Sequence, residues 1–441
     1  MFDLFFTVAL IAFIYFSYQK PIFGLATIIV LLPSYLWRFN ILGVPTTFLE
    51  LMIGFLFIIW LVKNQQYKKL NPASFLKMRK WCGVNLLFWK KSKNNIPVKL
   101  RWFLVLWLLS SIIALMVNPT YSALGLWRAY WLEPMIFFLI FIYTVKDKKD
   151  FKIIINALML LVAWLFTVTI YQNFSSWNFI EAYNYPNLKR LTAVFAYPNA
   201  LSLLIAPLTA LFAGLWIYSK QKLKDWPYLL VAIFGVLLAG LAVSEGALIA
   251  IAFSLFILLI FVKNIRKFSI PVFILVVIIS FFVLPTIRYT QLFFNQLVNP
   301  NLSLQASSLE IRSSQWRETF DMLADRPIFG SGLNGYQRIM ENYHQVDWIE
   351  IYLYPHNIFL NFWTEMGLLG LAVFVGLMIY VICVLKKLFK DKNIFVWPLT
   401  MAWLTWFVHG LVDVPYFKND LSLLFFIMLG LTIFIKQNKK L

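Results

Sequence analysis

Runs of about 20 predominantly apolar residues follow one another along almost the whole of this 441-residue chain, and that length is what a helix needs to cross the hydrocarbon core of a bilayer. Inside a bilayer no water can satisfy backbone amides, so such runs must be helices. Spans are read near residues 3–18, 20–36, 45–62, 102–118, 121–144, 152–172, 198–218, 228–243, 245–263, 268–286, 357–385, 394–411 and 420–435. The expectation is an all-α polytopic membrane protein with 12–13 transmembrane helices, because the first two spans are short enough to form a hairpin and Tyr228–Val262 is nearly unbroken. No basic region precedes Leu4–Phe16 and further spans follow at once, so this run reads as a first membrane helix and not as a signal peptide. With 61% hydrophobic and 13% charged residues, an ordinary soluble globule is excluded.

Basic residues cluster in alternate connections, which orients the chain. The 63–101 connection holds 11 Lys or Arg and no acid, and 145–152, 219–226, 263–267, 386–393 and the residues after Ile435 are basic too. With Lys20 these hold 29 of the 39 basic residues, and they are expected on the cytoplasmic side. The net charge of +20 is then explained by topology and by attraction to anionic lipid headgroups, without nucleic acid. Of the ten basic residues left for the outer side, eight are arginine: Arg38, Arg128, Arg190, Arg288, Arg312, Arg317, Arg326 and Arg338. Lysine suffices for topology, whereas the guanidinium fork grips phosphate oxygens with paired hydrogen bonds, which suggests an anionic diphosphate substrate on that side. Ordinary pairing with Glu310, Asp321 or Glu341 is the plainer alternative. Cys82 and Cys383 lie far apart and form no metal-ligand pattern.

One long lysine-free polar segment, residues 287–355, interrupts the apolar sequence and falls on the outer side. Ser307-Ser308-Leu309-Glu310 reads as a capping box that opens a helix running to Asp325-Arg326-Pro327. Arg312 and Trp316, four apart, share a face of that helix. Pro327, Gly330 and Gly332 permit a tight turn, and Tyr336–Tyr343 is read as a second short helix. The segment ends in Pro355-His356-Asn357, where imidazole meets the membrane and Asn357 can cap the descending helix. An imidazole titrates near neutrality and can take a proton from an acceptor hydroxyl. His344, in a polar stretch, reads as simply solvated, and Glu365, nine residues past His356, falls on the far side of an ideal helix.

A second cluster precedes the span at 198–218. Arg190 lies eight residues before Pro198-Asn199, and a helix N-terminus there carries unpaired amides and partial positive charge, so the two together would make a further anion grip. Glu50, Glu133, Glu245 and Asp413 are acids in or at the ends of spans, where charge is costly and marks functional candidates. Arg128 and Glu133, five apart, can simply pair.

These three blocks together resemble the O-antigen ligase and polymerase family: Arg190 with Pro198-Asn199, the Arg312-x-x-x-Trp316 loop with Asp325-x-Pro327-x-x-Gly330-x-Gly332, and Pro355-His356-Asn357 with Glu365-x-Gly367-x-x-Gly370. The resemblance divides the chain into N-terminal transmembrane helices at 1–186, including the basic 63–101 loop, and an O-antigen ligase-like region at 187–441, including the extracytoplasmic loop 287–355. It implies an all-helical membrane glycosyltransferase that uses polyprenyl-linked donors. One departure is Ser244-Glu245-Gly246, where many relatives carry Ser-Arg-Gly or Ser-Arg-Ala; an acid there cannot grip phosphate.

The expected activity is transfer of a glycan from a polyprenyl (undecaprenyl) diphosphate to a hydroxyl at the extracytoplasmic face of the plasma (inner) membrane. The acceptor is a glycan or glycolipid, and ligase and polymerase remain equally open. His356 would be catalytic, and Arg190, Asn199, Arg312, Trp316, Arg326, Gly330, Gly332 and Asn357 would bind substrate. Arginines and a helix N-terminus can meet the diphosphate charge, so no metal or other cofactor is called for. The rival reading is a transporter or flippase of lipid-linked oligosaccharide, against which stands the lack of an internal repeat of broken spans. A catalytically dead relative would place His356 against lipid.

Overall fold

The computed structural model describes residues 2–41, 43–66, 96–175, 177–178, 180, 184–185, 188–220, 222–261, 270–271, 274–275, 278, 308–346 and 349–438. The expected span at 268–286, Ser307 of the capping box, Arg288, and most of the basic 63–101 and 263–267 connections lie outside the described residues, wholly or in large part.

The chain is helical almost throughout. In order come α1 (Phe2–Gln19), α2 (Pro21–Val30), a 3₁₀ turn at Leu32–Leu36, a hairpin of β1 (Arg38–Ile41) and β2 (Val44–Thr47), then α3 (Phe48–Gln66), α4 (Val98–Val117), α5 (Tyr121–Thr144) and α6 (Lys148–Ser175). A two-residue ribbon, β3 (Asn184–Tyr185) and β4 (Leu188–Lys189), precedes α7 (Pro198–Tyr218), α8 (Trp226–Leu241) and α9 (Glu245–Phe261). The polar segment carries α10 (Ser308–Asp325) and α11 (Tyr336–Met340), and α12 (Ile358–Lys390), α13 (Val396–Gly410) and α14 (Asn419–Gln437) complete the fold. Among the described residues α4, α5, α6, α7, α12 and α14 are long and apolar enough to cross a membrane, while α2, α8, α9 and the Phe6–Gln19 part of α1 are apolar but shorter. The protein is an all-α multi-pass membrane protein. Every expected span other than 268–286 coincides with a helix, although the one at 20–36 stops at Val30 and continues as the 3₁₀ turn containing Pro33.

The two most central helices are recognisable by having no polar face. From Asp420 to Ile435 every residue of α14 is buried, and α7 is buried on all sides, as expected of helices enclosed by other helices and not facing lipid. Two of their buried hydroxyls are satisfied locally, Thr209 and Thr432 donating to the carbonyls of Ile205 and Met428 one turn back. Around α14 packs an aromatic core in which Trp107 stacks on Phe425 at 5.9 Å and Phe362 on Phe374 at 4.2 Å, ring offsets that add to simple area burial. Between lipid-soluble helices such close packing supplies what the hydrophobic effect cannot.

All polar elements of interest gather at one end of the bundle, where α4, α8 and α13 finish and α5, α7, α9, α12 and α14 start. The opposite end carries Lys99, Lys146, Lys148, Lys149, Lys387, Lys390 and Lys436. At the first end α10 and α11 form a cap with its own small core, in which Met322, Leu323, Tyr336, Ile339 and Met340 pack with Leu360 of α12. The cap docks where α12 is broken: Gly367 takes φ 66 and ψ −176 inside the helix. There the amide of Leu368 donates to the carbonyl of Ile328 at 2.9 Å and the amide of Ser331 donates to Thr364 at 2.7 Å.

Candidate functional site

His356 stands at the junction of cap and bundle. Its backbone is left-handed, φ 44, a conformation that costs a non-glycine residue of this kind about 1 kcal/mol or more and persists only where the surroundings enforce it. The enforcement is visible on both sides. Gln315 of α10 donates to the carbonyl of Tyr354 at 3.0 Å and Trp316 Nε1 to that of Pro355 at 2.7 Å, so the cap helix grips the turn before His356. After it, the Asn357 side chain accepts from the amides of Phe359 and Leu360, opening α12 as the sequence suggests, and its Nδ2 donates to the carbonyl of Leu411 at the end of α13. Capping therefore belongs to Asn357, and the His356 ring is left for other work. Tyr352 and Tyr354 flank that ring edge-on at 5.0 and 5.7 Å.

Asp413, in the connection between α13 and α14, lies 3.4 Å from His356 Nδ1 and is 3% exposed. The same carboxylate accepts the Val414 amide at 2.8 Å and Asn199 Nδ2 at 3.2 Å. Burial alone would push this carboxyl up, but the His356 hydrogen bond, the charges of His356 and His409 and the Val414 amide outweigh it and hold it down at about 2. A carboxylate that stays ionised beside Nδ1 fixes the tautomer that keeps the accepting lone pair on Nε2. Such a pair can act as a general base.

From Asp413 the contacts continue to Asn199, in the first turn of α7, and on to Arg190. The Arg190 guanidinium donates to Asn199 Oδ1 and to the carbonyls of Ala242 and Val243 beyond the end of α8, each at 3.3 Å. Arg190 thus bridges the start of one helix and the end of another. Its segment is pinned by Gln172 of α6, buried, whose side-chain oxygen accepts the amides of Thr192 and Ala193 at 3.0 and 2.9 Å. Arg312 projects from the same face of α10 as Trp316 and acts electrostatically on His409, which is 2% exposed at the end of α13. Among the described residues no carboxylate forms an ion pair with Arg312. Arg190, Asn199, Arg312, Trp316, His356 and Asn357 are therefore linked through Asp413, His409 and the His356 turn.

Other expected site residues fall elsewhere. Gly330 and Gly332, φ 61 and 72, lie against backbone: a Cβ on Gly330 would come within 2.3 Å of the Thr364 carbonyl and one on Gly332 within 3.0 Å of the Ala114 carbonyl. They let the cap approach α12 and α4. Arg326 is exposed on the cap. Glu365 accepts the Asn334 amide at 2.6 Å and so ties the cap down, away from the imidazole. Arg128 pairs with Glu133 at 3.3 Å and also with Glu50 at 2.7 Å. His344 corrects the reading of a solvated side chain, since it is partly buried with Nδ1 3.1 Å from Glu318. Glu245 is exposed in the first turn of α9, where the helix dipole favours an acid, and the adjacent Gly246 abuts His409.

Asp413 stands out in the sequence only as an acid at a span end; nothing there pairs it with a histidine 57 positions away. Gln172, Tyr197 and Tyr354 carry no sequence signal of their own.

No curated protein matches the chain. Residues 229–375 match the family model described as O-antigen ligase, a stretch that runs from α8 through the cap and His356 into α12. That match, over about a third of the chain, makes this stretch similar to the O-antigen ligase family and supports a role in lipid-linked glycan transfer in polysaccharide biosynthesis.

Proposed function

We propose that the protein is a glycosyltransferase which moves a glycan from a polyprenyl diphosphate to an acceptor hydroxyl at the extracytoplasmic face of the plasma membrane, as a ligase or a polymerase. The observation that carries this reading is the His356–Asp413 pair at 3.4 Å at the end of the bundle opposite the lysine-rich end. His356 Nε2 takes the proton of the acceptor hydroxyl as its oxygen attacks the anomeric carbon, and the bond from that carbon to the diphosphate oxygen breaks, giving inversion. Asp413 orients the ring and balances the imidazolium that forms. Arg312, beside His409, and Arg190, at the start of α7, meet the charge gathering on the departing diphosphate. An apolar cleft of about 160 Å³ between α7, α8 and α9, lined by Ala213, Leu229, Val236, Ile251 and Leu255 among others, lies further down the same helices and suits part of an isoprenoid tail. We read Gly330, Gly332 and Asn357 as scaffold for this site. The division at 186/187 remains our reading of the domains, with the family match wholly inside the second part.

The test is transfer in nanodiscs from a defined polyprenyl-diphosphate glycan to separately supplied glycolipid and lipid-linked glycan acceptors. Product with one acceptor class, abolished in His356→Ala, is expected. Movement of donor across proteoliposomes with no new glycosidic bond would establish the transporter instead.

A further inference from the structure

Beside the His356 turn the protein buries a charge that this chemistry does not use. Lys418 immediately precedes α14, and its side chain is 12% exposed. The ammonium lies 4.5 Å from the ring centroid of Phe195, 5.4 Å from Tyr35 and 5.6 Å from Tyr197. Its counter-ion is Asp420, fully buried, at 3.5 Å. Beyond the ion pair, the amides of Asp420 and Leu421 at the start of α14 lie beside the carboxylate, and the ring faces meet the ammonium. A buried ion pair gives little stability over apolar residues of the same shape, so its effect is to be sought in what it orients.

What it orients leads to the imidazole. Tyr197, one wall of the cage, shares a hydrogen bond at 3.0 Å between its hydroxyl and that of Tyr354. Tyr354 sits two residues before His356, with its ring against the imidazole. The cage, the two tyrosines and the His356 turn form one contiguous path, and the charge of Asp413 also reaches Lys418.

We infer that Lys418 is a positioning residue for the transfer reaction, its caged ammonium fixing Tyr197 and, through the Tyr197–Tyr354 hydroxyl pair, the turn that presents His356. This rests on the reading of His356 as the base. The test uses the full chain in nanodiscs with Lys418→Met combined with Asp420→Asn, which leaves no unpaired carboxylate, alongside Lys418→Arg and Tyr197→Phe. The double variant is expected to insert and to keep KM for the donor within about twofold while kcat falls about tenfold, since a misplacement of about 1 Å can cost on the order of 100-fold. Lys418→Arg, which keeps a cation over the rings, recovers most of the loss. Adding Tyr197→Phe to the double variant costs little more, because both act along one path. A loss confined to KM, no rescue by arginine, or fully additive effects would overturn the inference. Should the double variant fail to insert, Tyr197→Phe alone decides, and an unchanged kcat overturns it. A second readout needs no transfer: carbethoxylation of His356, followed by the mass of its peptide, is expected to change rate in Tyr197→Phe and in the double variant. Rates equal to wild type overturn positioning even if glycan transfer is established, and altered rates support it even if transfer is not.

Discussion

Replacing Asp413 with asparagine keeps the size of the side chain and an oxygen for the Val414 amide, but removes the charge 3.4 Å from His356 Nδ1. Two unit charges at that separation interact by about 1 kcal/mol at the dielectric of water and about 5 kcal/mol at an effective dielectric of 20. The pair is mostly buried, with side chains 20% and 4% exposed, which favours the upper part of that range. If half of the imidazolium charge has developed when the acceptor attacks, about 1–2.5 kcal/mol of transition-state stabilisation is lost, or roughly 5- to 70-fold in kcat. Donor affinity, resting on the arginines, should stay within about threefold. The pH dependence is set by the carboxylate: burial raises its pKa, while the His356 hydrogen bond, the neighbouring charges and the Val414 amide hold it down at about 2. Asp413 itself, depressed from 3.8, stays ionised above about pH 4 and adds no inflection there. Single-turnover transfer with saturating donor across pH 5–9, together with donor binding, measures both. Wild-type kcat across that range, in a variant that inserts normally, would refute the pairing as a catalytic element.

Three further outcomes are expected. His356→Asn, at a position where asparagine tolerates the left-handed backbone, should leave insertion and thermal midpoint unchanged yet lower turnover by about 10²–10⁴, and wild-type turnover would remove the residue from the mechanism. Arg312→Lys should lose most turnover while Lys390→Gln at the opposite end does not, because lysine gives up the bidentate geometry; full activity in Arg312→Lys would reduce that residue to a surface role. Gly330→Ala, which sets a methyl 2.3 Å from the Thr364 carbonyl at φ 61, should destabilise the cap by about 1–3 kcal/mol, seen as faster proteolysis between residues 326 and 346, and an unchanged cleavage rate would contradict the docking role.

The sequence discloses what depends on neighbours along the chain and hides what depends on contacts across it. Apolar runs locate α7 and α14 because a buried helix has no polar face to conceal. Asn357 is legible as a cap because its residue type and its place before an apolar run are both local signals. The Arg312–Trp316 face is legible for the same reason. Gly367 is not, since one glycine in a long apolar run leaves the helical pattern intact, and only the approach of Ile328 shows that the helix must break there. The Asp413–His356 pair joins the start of one helix to the connection between two others, and no periodicity encodes that. Gly330 and Gly332 show the converse: the turn is legible, but the surface it is pressed against is not.

The position of Asp413 also sets an order of events during synthesis. His356, its flanking cap and the start of α12 emerge from the ribosome well before the α13–α14 hairpin that brings Asp413. Until that hairpin is inserted the imidazole has no carboxylate beside it and the cage around Lys418 has no lysine. On the proposed mechanism, a nascent chain would gain its base pair only once α13 and α14 are in place.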